Sequence, residues 1–196
     1  MNYKGAYKII VPRLIKDLNP SLHYHNINHT IDVIDSTVRI AKSKDFSPKE
    51  ILLMKTAALF HDTGMLNTYA GHEEASIEIA KEILPTFGYS ENDISFISGM
   101  ILSTKLPQSA KTIEQRIICD ADLDYLGRND YFMISHQLRY EWELLGLRKI
   151  SLKDWYQFQI NFLEGHSFYT KTAQELRNEG KEKNLKEIKS LFSQMK

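Results

Sequence analysis

The chain has a single cysteine, Cys119, among 196 residues. One thiol excludes an intramolecular disulfide framework. No apolar run approaches the roughly 20 residues of a bilayer-spanning helix, and the opening MNYKGAYKII lacks the pattern of a secretory signal. Net charge is missing as well: 25 Lys and Arg balance 25 Asp and Glu. That balance leaves no electrostatic footprint for general nucleic-acid or anionic-membrane binding. Glycine and proline are sparse, nine and five, and no repeat, low-complexity tract or Ser/Gly linker marks a boundary. Period-2 alternation is absent throughout. These absences converge on one expectation, a soluble cytoplasmic chain forming a single all-α domain of about eight helices, long enough for a sizeable core.

What the chain does contain is a stretch apolar on nearly every side, ILLMKTAALFHDTGM, Ile51 to Met65. A helix hydrophobic all round belongs in the middle of a domain. It runs into the pair His61-Asp62, and burying imidazole or carboxylate without a hydrogen bond, a counter-charge or a metal is costly. The other helices are expected to gather around this one and bring further partners to the pair.

Local signals place those helices. The first covers about Tyr3 to Leu18, apolar at Tyr7, Ile10, Val11, Leu14, Ile15 and Leu18, with Pro12 expected to kink it or displace its start. After Asn19-Pro20-Ser21 comes LHYHNINHTIDVI, with His23, His25 and His29 close together. From about Asn28 to Ser43 one stripe holds Ile27, Ile31, Ile34, Val38 and Ala41, and His29 falls on the other side with Val33 and Ile40. Ser47-Pro48-Lys49-Glu50 is a capping box with proline at the first helical position, and it opens the central helix.

His72-Glu73-Glu74 opens the next helix, buried at Ile77, Ala80, Ile83 and Leu84. Ser90 to Asp93 caps another through about Leu102, and Ser103 to Lys111 reads as a loop. A helix from about Thr112 to Leu126 carries IICDADLDYLG, closed by Gly127. Three more follow, about Tyr131 to Leu145, Leu152 to Leu163, and Tyr169 to the C-terminus. The core is expected over about 21–127, with the helices of 131–196 packing on it.

A His-Asp dipeptide alone carries little: seven histidines and eleven aspartates among 196 residues give about 0.4 such pairs by chance. The context adds the upstream HYHNINH cluster and the downstream DADLD segment. Together they make an N/N/O/O set of the kind a borderline or hard divalent metal accepts. Periodicity alone does not choose among Asp120, Asp122 and Asp124.

This order of a His, an adjacent His-Asp and a distant Asp, all on helices, resembles the HD-domain superfamily of metal-dependent phosphohydrolases. The resemblance runs from about Ser21 to Gly127. YHNINHTIDV is similar to the YHNxxHxxDV element of cyclic-nucleotide phosphodiesterases, and IICDADLDYLG and EGHSFYT are similar to segments of small bacterial HD proteins. It implies His29, His61, Asp62 and Asp122 as ligands of one divalent ion, Mn, Mg, Fe, Co, Ni or Zn. Asp122 is preferred because it directly precedes Leu in an A-D-L context. His25 takes the place of the histidine that protonates the leaving oxygen, and Asp62 both binds metal and orients the attacking water.

The chemistry is physically coherent. A metal held by two imidazoles and two carboxylates keeps positions open for water and a phosphoryl oxygen, and makes hydroxide available near neutral pH. A protonated histidine beside it then neutralises the expelled alkoxide. His72 or Glu73 is the second candidate for proton transfer, and Lys105 the candidate for a substrate phosphate. The ordinary alternatives are a loop histidine bonded to a carbonyl for His25, helix-start residues for His72 and Glu73, and a solvated loop lysine for Lys105.

The implied substrate is a phosphomonoester or phosphodiester, a nucleotide or related small metabolite. Two-metal relatives carry a second extra histidine where this chain has ILST, Ile101 to Thr104. That favours one tight metal, any second ion being weakly held, and counts against the di-iron HD oxygenases. A non-catalytic metal- or nucleotide-binding module is the remaining alternative, and the complete ligand set counts against it.

Overall fold

The computed structural model describes residues 1–42 and 45–195. Ser43, where the pattern places the end of the second helix, lies outside them, as does Lys196. The described residues form nine α-helices, three short 3-10 turns and no strand. They group into two compact units. The first comprises Met1–Pro20 with His25–Asp122, and the second Ser21–Tyr24 with Leu123–Lys196.

The first unit holds α1 (Tyr3–Asp17), α2 (Ile27–Ala41), α3 (Pro48–Phe60), α4 (His72–Ile83), α5 (Glu91–Thr104) and α6 (Ile113–Asp122). α3 begins where Ser47 accepts from the Glu50 amide while Glu50 reaches back to the Ser47 amide. Its Leu53, Met54, Ala57, Ala58, Leu59 and Phe60 are buried, and it packs chiefly against α2 and α5, with smaller contacts to α1, α4 and α6. The all-round apolar helix is thus the axis of this unit.

Pro12 lies inside α1, and the helix starts at Tyr3 where the pattern places it, capped by Asn2, which accepts from the Gly5 amide. Two expected faces need correction. The buried face of α1 is Ala6, Ile10 and Leu14, and Ile15 is 66% exposed. In α2 the buried side is that of Thr30, Val33, Ile34, Thr37 and Ile40, with Ile31 exposed. In both helices only part of the expected stripe is buried, Ile10 and Leu14 in α1 and Ile34 and Ala41 in α2, since packing against neighbours selects the face.

The second unit holds α7 (Tyr131–Leu144), α8 (Leu152–Gly165) and α9 (Lys171–Ser193). α9 packs on α8 and on the 3-10 turn Asp124–Gly127. Arg177 donates two parallel bonds, 2.8 and 2.9 Å, to the Asp124 carboxylate, and Asn184 Nδ2 donates to the carbonyls of Leu126 and Arg128. The close approach needs Gly127 and Gly180: a Cβ on Gly180 would sit 2.0 Å from the Gly127 carbonyl oxygen. Glu141, fully buried, accepts from the Tyr24 amide at 2.8 Å. Among the described residues no helix is long and apolar enough to cross a membrane.

Candidate metal centre

The site lies in the first unit and is built from helix ends. Asn26 caps α2, accepting from the amides of Asn28 and His29, so His29 stands in the first helical turn. His25 precedes the cap and is therefore off the helix. α3 stops at Phe60 with His61 as its C-cap, and Asp62 leads into a 3-10 turn, Thr63–Leu66. α6 ends at Asp122 itself, four residues before the expected end. Three helix termini thus deliver four side chains to one point.

Their reactive atoms face one another. His29 Nε2 lies 3.2 Å from His61 Nε2, 3.3 Å from Asp62 Oδ2 and 3.2 Å from Asp122 Oδ1. His61 Nε2 lies 3.1 Å from Asp62 Oδ2 and 3.7 Å from Asp122 Oδ1. The ligand atoms of His29, His61 and Asp122 all fall within 4.8 Å of one another. Asp62 Oδ2 is buried without a hydrogen-bond partner. It is near both imidazoles but not aligned with either, and an orphaned buried carboxylate oxygen calls for a cation.

The spacing of His29, His61 and Asp122 suits one, and Asp62 Oδ2 stands within 3.3 Å of both imidazoles. A metal with ligand distances of about 2.0–2.2 Å sets neighbouring donors about 3.0–3.5 Å apart. The ring tautomer fits too: His61 Nδ1 donates to the Ala58 carbonyl at 2.8 Å, leaving Nε2 to face the cluster.

Electrostatics are dominated by burial and close charge. Burial disfavours a charged His29, yet the close carboxylates of Asp122 and Asp62 outweigh this and push its pKa up to about 10. Burial likewise disfavours a charged His61, and Asp62 and Asp122 raise it in spite of that. Burial would raise Asp62, but the charge of His61 and the approach of His29 and His72 hold it well below the usual carboxylate range.

Around the four, α4 contributes more than the sequence pattern assigned to it. His72 Nδ1 donates to the Tyr69 carbonyl at 2.8 Å, and its Nε2 lies 3.4 Å from Asp62 Oδ1 and 3.5 Å from Glu73 Oε1. Burial disfavours its charged form, yet Asp62 more than compensates and pushes its pKa up to about 9. Glu73 is buried, so it is more than an exposed helix-start acid. The His25 ring stands 6.2 Å from His29, 5.6 Å from His72 and 5.5 Å from Tyr69, between centroids.

Lys105, the C-cap of α5, ion-pairs with the exposed Glu74. Of the three aspartates the periodicity left open, Asp122 faces the histidines, Asp120 is fully buried and Asp124 is taken by Arg177. Two residues escaped the sequence reading, Tyr69 and Ser76. Ser76 lies one turn after His72 on the same face of α4, and that spacing was the signal available.

An all-helical fold with a His, His-Asp and Asp cluster at converging helix ends defines a class, and residues 26–124 match the family model described as HD domain. The chain belongs to the HD-domain family. An uncharacterized protein of Clostridium beijerinckii is 39% identical over 83 residues, covering 40% of this chain and 51% of that one. The chain thus spans about half the length of the curated relative it matches.

Two solved structures share the fold over 100% of this chain. A predicted HD superfamily hydrolase from an uncultured Thermotogales bacterium is 21% identical with a TM-score of 0.65 over 94% of its own length. Bacillus subtilis YpgQ in complex with ADP is 20% identical with a TM-score of 0.67 over 97%.

Proposed function

We propose that this protein is a metal-dependent phosphohydrolase acting on a phosphomonoester or phosphodiester of a nucleotide or a related small metabolite. The observation that carries this reading is the convergence of His29, His61, Asp62 and Asp122, with Asp62 Oδ2 buried and unpartnered. These four residues would hold one divalent ion. When bound, such an ion polarises a phosphoryl oxygen and lowers the pKa of water.

The chain's own groups supply the rest. Asp62 both holds the ion and orients the attacking water, and the His72 contact at its Oδ1 fixes the carboxylate plane. His25, with His72 or Glu73 as the second candidate, protonates the leaving oxygen. Lys105 exchanges its exposed partner Glu74 for a substrate phosphate. The ADP held by the YpgQ neighbour supports a nucleotide-like ligand.

The test is metal content per chain on protein purified without added metal, for the native sequence and Asp62→Ala. A phosphate-release screen over nucleotides follows, with each metal restored. About one metal in the native chain, lost in the variant together with turnover, is the expected result. A folded native chain that takes up no metal would overturn it.

A further inference from the structure

We propose that Ser76 is a positioning residue that locks the His61-Asp62 turn to the start of α4, a role that rests on the metal-centre reading above. Its side chain is wholly buried and makes two short bonds. Its hydroxyl donates to the His61 carbonyl at 2.7 Å and accepts from the Gly64 amide at 2.7 Å. Both partners are backbone groups left over where α3 ends, and they flank Asp62 on either side. Ser76 therefore brackets the one residue whose carboxylate faces His29 and His61 through Oδ2 and His72 through Oδ1.

The backbone approach shows how tight this junction is. A Cβ on Gly64 would lie 2.0 Å from the His72 carbonyl oxygen and 2.7 Å from the Ser76 nitrogen. Turn and helix are in direct main-chain contact, and the Ser76 hydroxyl is the side-chain link between them. His72 and Ser76 are one helical turn apart on the same face of α4, so a shift at Ser76 is carried to His72. The 3.4 Å spacing of His72 and Asp62 is then a property of the Ser76 clamp as much as of either residue.

The experiment loads native protein, Ser76→Ala and Ser76→Thr with Co²⁺ alone. It records stoichiometry, the visible absorption of the bound ion, melting temperature, and kcat and KM on a phosphate ester the native chain turns over. Ser76→Ala is expected to keep one Co²⁺ with an altered spectrum and to lose about tenfold in kcat at unchanged KM. Ser76→Thr, which keeps the hydroxyl, restores both. Should Ser76→Ala fail to fold, Ser76→Cys is read against the same outcomes.

A variant with native spectrum and kcat but a lower melting temperature would make Ser76 merely structural and overturn the proposal. Failure of the native protein to take up Co²⁺ is a different result. It removes the metal centre itself, and the positioning role with it.

Discussion

His72 Nε2 lies 3.4 Å from Oδ1 of Asp62, the oxygen turned away from His29 and His61. One carboxylate thus faces two imidazoles on one side and a third on the other. His72 is held in turn by the Tyr69 carbonyl at its Nδ1. This arrangement makes His72 an orienting partner of Asp62, distinct from the four convergent donors. Replacing it with Ala is expected to leave metal stoichiometry at the native value and to lower kcat ten- to a hundredfold. Metal analysis beside steady-state rates checks this, and loss of the metal would make His72 a ligand instead.

Removing the metal should destabilise the folded chain. An ion that binds only the folded state stabilises it by about 2.7 kcal/mol when its free concentration is a hundred times its dissociation constant. Chelation should therefore lower the melting temperature by several degrees, and restoring the ion should reverse it. In Asp62→Ala the melting temperature should not respond to metal. A native melting curve indifferent to chelator, on protein shown to have lost its ion, would contradict this.

Gly180 inverts the usual rule for helices. Ala in place of Gly inside a helix ordinarily stabilises by up to about 1 kcal/mol. Here the added Cβ would stand 2.0 Å from the Gly127 carbonyl oxygen. Gly180→Ala should cost roughly 1–3 kcal/mol, the range of overpacking. At Gly165 nothing lies within 4 Å of the added atom, so Gly165→Ala should be neutral or stabilising. Chemical denaturation of both variants gives the comparison, and equal midpoints would refute it.

His166 should make stability depend on pH. Both ring nitrogens are buried without partners, and the ring packs parallel to Phe162 and edge-on to Phe168. Burial, with the nearby Lys181 charge adding to it, pushes its pKa down to about 4. Below about 6.5 the unfolded chain takes up a proton that the folded chain refuses until about pH 4. Stability is therefore lost as pH falls across that window, by roughly 1–3 kcal/mol. His166→Phe should flatten this part of the profile relative to native, as read from denaturation midpoints between pH 4 and 7. Parallel profiles would sink the prediction.

Much of the architecture was legible because it is locally encoded. Ser47 with Pro48 and Glu50 starts α3, and Ser90 with Asp93 starts α5, through bonds that span three residues. The all-round apolarity of Ile51 to Phe60 identified the axial helix because any helix that apolar must be enclosed. The His23, His25 and His29 cluster and the His61-Asp62 pair stood out by residue type, and the family resemblance singled out His29 among the three. Their chemistry needs imidazoles and carboxylates whatever the fold around them.

What the tertiary structure alone decided was which faces and which atoms meet. Periodicity grouped Ile15 and Ile31 with apolar neighbours, yet both are exposed, since a period defines a stripe and only a packed partner fixes its direction. Periodicity does not separate Asp120, Asp122 and Asp124, but α6 ends at Asp122 and a 3-10 turn carries Asp124. Ser76, marked only by its spacing from His72, and Tyr69 were missed for the same reason. Each acts through main-chain atoms of the site, Ser76 at His61 and Gly64 and Tyr69 at the His72 ring, and only the completed fold brings those atoms within reach.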